Sequence, residues 1–182
     1  MNQLARLSPD NRARFTAPEF LRMVESGAFE GMKVELIDGA LERMNPPMGG
    51  HAAAQANVVF YLAQAVGVAL VLGETGLVID DSTVVACDAA LLRQPVVENR
   101  FLTPDDVLLV IEISQTTQSR DRGLKRMLYA QASIPTYWVI DGVRRVVYVY
   151  ADPVEGDYSS VHTVRFGAPL AVPGSDAAIT LD

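Results

Sequence analysis

The sequence predicts an α/β domain in which helices pack around one central mixed β-sheet. The predicted elements run helix, hairpin, helix, several strands, helix and further strands, an order typical of that class. Residues 107–113 are apolar at every position but one, as expected of a strand covered on both faces. Apolar residues make up 49% and charged residues 20% of the 182 positions, which excludes a disordered chain. This length corresponds to one domain, since domains usually have about 100–200 residues.

The N-terminal part of the chain combines a polar arm with a well-marked helix start. Residues 1–15 are polar and predict a flexible arm, so we assign the single domain to residues 16–182. Thr16 is followed by a proline within the first turn and by Glu19 three positions on. This combination predicts a helix that begins after Thr16 and ends near residue 26.

The middle of the chain predicts a hairpin, a long helix and then mostly strands. Residues 33–37 and 40–44 flank an Asp-Gly pair, which favours a tight β-hairpin. Residues 49–66 are rich in alanine and apolar nearly all round, which predicts a central helix covered on most sides. Further strands are predicted at 68–72, 77–79, 84–92, 107–114, 137–140 and 146–150, with weaker strand signals after residue 151.

Composition and charge exclude several classes of protein. The single cysteine, Cys87, excludes a disulfide framework and a multi-cysteine zinc site, and it is consistent with a cytoplasmic location. The N-terminus lacks the apolar core of a signal peptide, and polar residues interrupt the one long apolar stretch, so we expect no membrane contact. The net charge of −7 argues against a broad electrostatic contact with nucleic acid. The basic residues between Arg93 and Arg126 are nevertheless dense enough to predict a local positive patch.

Two carboxylates stand inside strands that are otherwise apolar. Glu112 is the one charged residue of the 107–113 run, and Asp88 occupies a similar place in the 84–92 run. A buried carboxylate costs several kcal/mol unless it has a cation, a metal or its own proton. Two carboxylates on neighbouring strands suffice to bind Mg²⁺ when a backbone carbonyl and waters complete the coordination. The alternative for each acid is a strand-end residue bonded to a loop.

Lys125 follows on the helix predicted at residues 121–132. This chain has thirteen arginines and only two lysines, so each lysine is a candidate for a role that a guanidinium could not fill. Leu124, Met127, Leu128 and Gln131 share one helix face, whereas Lys125 shares another stripe with Asp121 and Tyr129. The alternative is that Lys125 lies on a solvated face.

The order of the motifs resembles the Uma-two family of restriction-type endonucleases, within the PD-(D/E)XK nuclease superfamily. The resemblance covers roughly residues 16–150, and the stretch from Glu112 to Asp141 is its specific part. The motifs that carry it are V-E-L-I-D-G at 34–39, M-N-P-P at 44–47 with His51, V-I-E-I-S at 110–114, D-R-G-L-K at 121–125 with Tyr129, I-P at 134–135, and Y-W-V-I-D at 137–141. The resemblance implies a restriction-endonuclease-like fold, with a central mixed sheet flanked by helices.

The resemblance also implies a catalytic site. Position by position, Asp88 is the aspartate of the PD element, Glu112 is the second acid, and Lys125 is a lysine moved from the strand to the following helix. Mg²⁺, with Mn²⁺ as a substitute, would be held by Asp88, Glu112 and the backbone carbonyl of Ile113. Glu35 would be a further acid near the metal, and Tyr129 a supporting residue.

The sequence departs from the family pattern at three places. Cys87 replaces the proline before the aspartate, Ser114-Gln-Thr116 replaces the usual Ser-Pro-Ser, and residue 114 is serine where the simplest E-x-K pattern has lysine. Activity therefore depends on Lys125 reaching the site.

The function implied by the resemblance is metal-dependent hydrolysis of DNA phosphodiester bonds. Lys125 would orient the attacking water and add positive charge beside the phosphate. A homodimer is expected, because cutting both strands needs two sites and the mean hydropathy of +0.17 leaves apolar surface to bury. Two alternatives stay open: a catalytically silent binding or regulatory module with the same fold, and a hydrolase of another phosphodiester.

Overall fold

The computed structural model describes residues 13–114 and 121–182, so residues 1–12 of the predicted arm lie outside the described part. Its helical elements are α1 (Ala17–Glu25), α2 (Gly49–Val66), 3₁₀ turns at Val68–Leu70 and Pro104–Asp106, a π-helical turn at Asp121–Lys125, and α3 (Arg126–Gln131). Its strands are β1 (Lys33–Ile37), β2 (Ala40–Met44), β3 (Val71–Leu72), β4 (Thr75–Asp80), β5 (Thr83–Cys87), β6 (Ala89–Leu92), β7 (Val107–Ser114), β8 (Thr136–Asp141), β9 (Val146–Val154), β10 (Asp157–Arg165), β11 (Leu170–Ala171) and β12 (Ala178–Ile179).

The main strands form two sheets rather than the single sheet predicted. The larger has the order β10-β9-β8-β7-β6-β3, and the smaller has the order β2-β1-β5-β4. Strands β7 and β8 run parallel, with Glu112 opposite Val139, while the other neighbours in this sheet are antiparallel. The larger sheet is therefore mixed, with the apolar strand β7 in its interior and helices beside it, which confirms the predicted fold class.

Asp88 divides the segment predicted as one strand at 84–92. Strand β5 ends at Cys87 in the smaller sheet, and β6 begins at Ala89 in the larger. The Asp88 amide still donates to the Ile111 carbonyl at 3.1 Å, but its side chain accepts a bond from the Ile113 amide at 2.6 Å. The carboxylate thus takes the place of a backbone acceptor, and the chain turns from one sheet into the other. Strands commonly pass between packed sheets at such bends.

The core lies on both faces of the larger sheet. On one face Leu109, Ile111 and Trp138 pack against α2, and on the other Val110 and Tyr137 pack against α3. Helix α2 is less covered than its composition predicts, because only Val58 and Leu62 are fully buried and Phe60 is exposed.

The helical segment 121–131, made of the π-helical turn and α3, buries a different face from the one predicted. Leu124 and Met127 are 40% and 45% exposed, whereas Lys125 and Tyr129 are buried. The apolar periodicity is misleading here because the buried side chains are a lysine and a tyrosine whose polar atoms are hydrogen-bonded inside.

The local signals near the N-terminus are confirmed. Helix α1 has a capping box, in which the Thr16 hydroxyl accepts from the Glu19 amide and the Glu19 carboxylate accepts from the Thr16 amide. The hairpin has the predicted bounds and turns at Asp38 and Gly39, both with positive φ. The Phe15 amide donates to the Gly39 carbonyl, which ties this end of the chain to the turn.

The remaining differences concern strand ends. Residues 68–70 form a 3₁₀ turn, so only Val71–Leu72 remain extended, and the weakly patterned tail contains the nine-residue strand Asp157–Arg165. Among the described residues, no helix has the length and apolar character needed to cross a membrane.

Candidate active site

Asp88 lies at the junction of the two sheets and is held from three directions. Its Oδ2 accepts from the Ile113 amide at 2.6 Å, and its Oδ1 lies 2.9 Å from His51 Nε2. Its carbonyl accepts from the Gln55 side chain at 2.7 Å. The carboxylate is therefore oriented by strand β7 on one side and by the first turns of α2 on the other.

Lys125 occupies the centre of a buried cluster of charges. Its Nζ donates to Glu112 Oε1 and to the Ala86 carbonyl, both at 2.8 Å, and lies 3.2 Å from Glu35 Oε1. Lys125, Glu35 and Glu112 are only 2%, 1% and 5% exposed. A lysine buried this deeply requires such neighbours, because an unpaired charge in the interior costs several kcal/mol. The solvated alternative for Lys125 is excluded.

Glu35 and Tyr129 fix the members of this cluster. Glu35 Oε1 accepts from the Ala86 amide at 2.9 Å, which ties β1 to β5 beside the lysine. The Tyr129 hydroxyl donates to Glu112 Oε1 at 2.8 Å. Glu35 faces Lys125, and Tyr129 supports Glu112 from the core side.

Burial also determines the protonation of two nearby groups. Loss of solvent, followed by the negative charges of Glu112 and Asp88, raises the pKa of the Cys87 thiol far above its ordinary value. Burial and then Glu112 raise the pKa of the Tyr129 hydroxyl well above its usual range. Both groups keep their protons at neutral pH, so Cys87 is not a thiolate nucleophile and Tyr129 remains a donor.

These residues line the inner end of one large cleft. The cleft has a volume of about 770 Å³ and runs between α1, the β1–β2 hairpin and the start of α2. Glu35, Asp88, Glu112, Ile113 and Lys125 all contribute to its wall. The sequence-predicted catalytic residues are thus brought together, and the ammonium that serine cannot supply at position 114 comes from the π-helical turn before α3.

A metal ion in this cleft would have few side-chain ligands. Among residues 13–114 and 121–182, no three His, Cys, Asp or Glu side chains lie close enough together to bind one ion. The available donors are the Asp88 and Glu112 carboxylates and the Ile113 carbonyl. In a β-strand the carbonyl and the amide of one residue point to the same side, so the Ile113 carbonyl points toward Asp88 as the Ile113 amide does. A carboxylate has about four lone-pair positions, so the two hydrogen bonds of Asp88 leave room for a cation. This all-oxygen donor set fits Mg²⁺ or Mn²⁺ completed by water.

Two residues that orient Asp88 have no predicted role, although His51 stands in one of the motifs. His51 and Gln55 lie four positions apart at the start of α2, on the same helix face. That spacing, in a helix otherwise made of alanine and large apolar residues, was a usable signal. Neither residue could be joined to Asp88 without knowing where α2 begins relative to β6.

Three of the basic residues predicted to form a local patch between Arg93 and Arg126 are paired with acids. Arg100 pairs with Asp106, Arg126 pairs with Asp157, and Lys125 is buried among carboxylates. Residue 120 lies outside the described residues.

The mixed sheet, its flanking helices and the acidic cleft together define a restriction-endonuclease-like fold. The chain belongs to the Uma2 family, whose description reads "Putative restriction endonuclease" and whose family model matches residues 17–181. It is also similar to a solved structure described as a putative nuclease belonging to DUF820 from Anabaena variabilis ATCC 29413. That similarity has a TM-score of 0.71 and 21% sequence identity, and it covers 91% of this chain and 94% of the other. Among curated proteins, none matches this chain. Family and fold together support a nuclease.

Proposed function

We propose that this protein is a Mg²⁺-dependent endonuclease that hydrolyses phosphodiester bonds of DNA. The observation that carries the proposal is the meeting of Asp88, Glu112 and Lys125 at the inner end of one cleft. Membership of a family whose description reads "Putative restriction endonuclease" supports the same reaction class.

Each residue has a distinct role in this proposal. Asp88, Glu112 and the Ile113 carbonyl would hold the metal, which lowers the pKa of a bound water and stabilises charge on the phosphate. Lys125 would orient the attacking water and place positive charge beside the scissile phosphate. Glu35 would hold the Lys125 ammonium in position, and Tyr129 would orient Glu112. The contacts of the cluster support these roles, because Glu35 accepts from the Ala86 amide and Glu112 accepts from the Tyr129 hydroxyl.

An arginine strip supports a nucleic-acid substrate despite the net charge of −7. Ser114 lies opposite Asp141, and Val146 lies opposite both Asp141 and Arg165, so Arg145 and Arg165 share the sheet edge at which β7 ends. Both side chains are exposed, and they lie two and three strands away from β7, which corresponds to roughly 10–15 Å at about 4.8 Å between strands. Arginine binds phosphate through paired donors, which suits this strip to the nucleic-acid backbone.

The proposal is tested by cleavage of supercoiled plasmid in Mg²⁺, Mn²⁺ and EDTA. Asp88→Asn and Lys125→Met should abolish cutting, while Asp105→Asn, which makes the same change as Asp88→Asn on an exposed residue, should retain it. Equal cutting by all four proteins would indicate a contaminating nuclease and refute the proposal. Metal binding without cutting would instead favour the regulatory module, and hydrolysis of bis(p-nitrophenyl) phosphate alone would favour another phosphodiester.

We also propose a homodimer in the cytoplasm. A second copy would supply the second site needed to cut both strands, and the exposed Val68 leaves apolar surface for contact. Light scattering on eluted protein measures the mass, and a monomeric mass at working concentration would refute this part of the proposal.

A further inference from the structure

We propose that the cleft binds one unpaired nucleotide, with its base against an apolar wall and its phosphodiester at Asp88 and Glu112. This inference rests on the proposed nuclease function and names its substrate as single-stranded or locally unpaired nucleic acid. The apolar wall consists of Phe29, Met32, Met44, Met48 and Phe101, all of which line the same cleft as the acids.

The acidic cluster lies deep in the cleft. Glu112 and Lys125 are buried at the inner end of a cleft of about 770 Å³, a volume typical of sites for small ligands. A phosphodiester reaches them only if its strand enters the cleft. In a paired duplex each base is stacked and hydrogen-bonded, so a nucleotide must leave the stack before it fits such a pocket.

Two aromatic rings of the apolar wall are held in fixed positions. Phe29 is stacked on the buried ring of Phe20, with 5.5 Å between the ring centroids and 29° between the planes. The Phe101 ring lies directly over Gly76, where a Cβ atom would come within 2.0 Å of the ring. Both rings are therefore seated on rigid support while still lining the cleft. Proteins that bind unpaired bases use aromatic side chains in this way, because every base has a π-face.

The cleft carries a negative net charge. Its rim and interior carry more acidic than basic side chains: Glu30, Glu35, Glu74, Asp88 and Glu112 against Lys33, Arg43 and Lys125. The exposed Lys33 is itself paired with Glu74 at 2.5 Å. One phosphodiester together with one divalent cation matches this balance, whereas several phosphates of a duplex would meet unfavourable carboxylates. The occupant that fits is amphipathic, with one flat apolar part and a single anionic group.

Binding is the primary test, since it does not depend on cleavage. Fluorescence anisotropy in Ca²⁺ compares four labelled DNAs of one sequence: a single strand, the perfect duplex, the duplex with one mismatched pair, and the single strand with abasic positions. We expect the single strand to bind about tenfold more tightly than the duplex, with the mismatched duplex between them. Abasic positions should weaken single-strand binding by a similar factor, as expected for the loss of one stacked base.

Protein variants locate the effect. Phe29→Leu and Phe101→Leu keep an apolar side chain but remove the flat ring, and each should weaken single-strand binding about tenfold. Phe60→Leu, on the exposed face of α2, is the matched control and should leave binding unchanged. Urea denaturation of each variant confirms that it is folded, and the abasic DNA probes the same contact without any change to the protein.

The outcomes separate this inference from the nuclease proposal. Equal binding of single strand and duplex, or no effect of abasic positions, overturns the unpaired-nucleotide inference even if plasmid is cut. Preferential single-strand binding without any cleavage supports the pocket while refuting the endonuclease. Loss of affinity in Phe60→Leu equal to that in Phe101→Leu also overturns the inference, because the effect would then not belong to the cleft.

Discussion

Replacing Lys125 by methionine tests whether the ammonium is the internal counter-ion of the site. Methionine has nearly the same length, so the change removes the charge and leaves Glu35 and Glu112 buried together without it. Breaking a buried ion pair by removing one partner costs about 3–5 kcal/mol. Because the slope for urea unfolding of small proteins is about 1–3 kcal/mol per molar, the urea midpoint should fall by about 2 M.

Lys33→Met is the matched control, since it removes the other lysine of the chain from an exposed pair with Glu74. An exposed ion pair contributes about 0–1 kcal/mol, so its midpoint should move little. If Lys125→Met does not fold, then Lys125→Met combined with Glu35→Gln and Glu112→Gln should fold again, because the uncompensated charges are gone. Equal small shifts for the two lysine variants, or no rescue by the glutamines, would refute the counter-ion reasoning.

Three further predictions concern the surroundings of the site. Gly76→Ala should destabilise the fold by about 1–3 kcal/mol, since its Cβ would meet the aromatic ring above it, whereas Gly73→Ala, with nothing within 4 Å, should be nearly neutral in the same thermal melts. Tyr129→Phe should weaken Mg²⁺ binding about tenfold in calorimetry, because the carboxylate it supports loses one donor; unchanged affinity would exclude that role. The hydrogen bonds of Arg100 hold the pKa of Asp106 far below its usual range. Because the pKa is lowered in the folded state, the ionised Asp106 stabilises the fold at pH values above the unfolded-state pKa of about 3.9. This stabilisation is lost as the pH falls from there toward the folded-state pKa. Asp106→Asn should therefore cost about 1 kcal/mol at pH 7, since the guanidinium is part-exposed, and progressively less below pH 4 in urea titrations.

The elements that local patterns dictate could be predicted from the sequence. The Asp-Gly turn sets the bounds of the hairpin, and the capping residues set the start of α1. The break at Asp88 could not be predicted, because the residues on either side are equally apolar and continue the strand pattern. Only the Ile113 amide, from a strand more than twenty residues away, shows why the chain turns there.

The sequence predicts which residues form the candidate site but not which of them contact one another. Glu112 and Lys125 stand out because each is unusual in its local context. The burial of Glu35 gives no such signal, since alternation in β1 is equally compatible with an exposed face. The exposure of Leu124 and the burial of Lys125 invert the hydrophobic pattern of the helix, because ion pairs within the cluster offset the cost of burying the charge.

The position of Lys125 means that the candidate site is complete only when the two sheets are in contact. Its ammonium contacts Ala86 and Glu35 in the smaller sheet and Glu112 in the larger, so it joins the two sheets through side-chain contacts. A chain in which the smaller sheet has not docked lacks both the bend that orients Asp88 and the partners that hold the lysine. Under the proposed function, a nascent or partly unfolded copy would carry all the residues of a nuclease and none of its geometry. Hydrolytic capacity would then require the docking of the two sheets, so an incompletely folded copy would not cut nucleic acid.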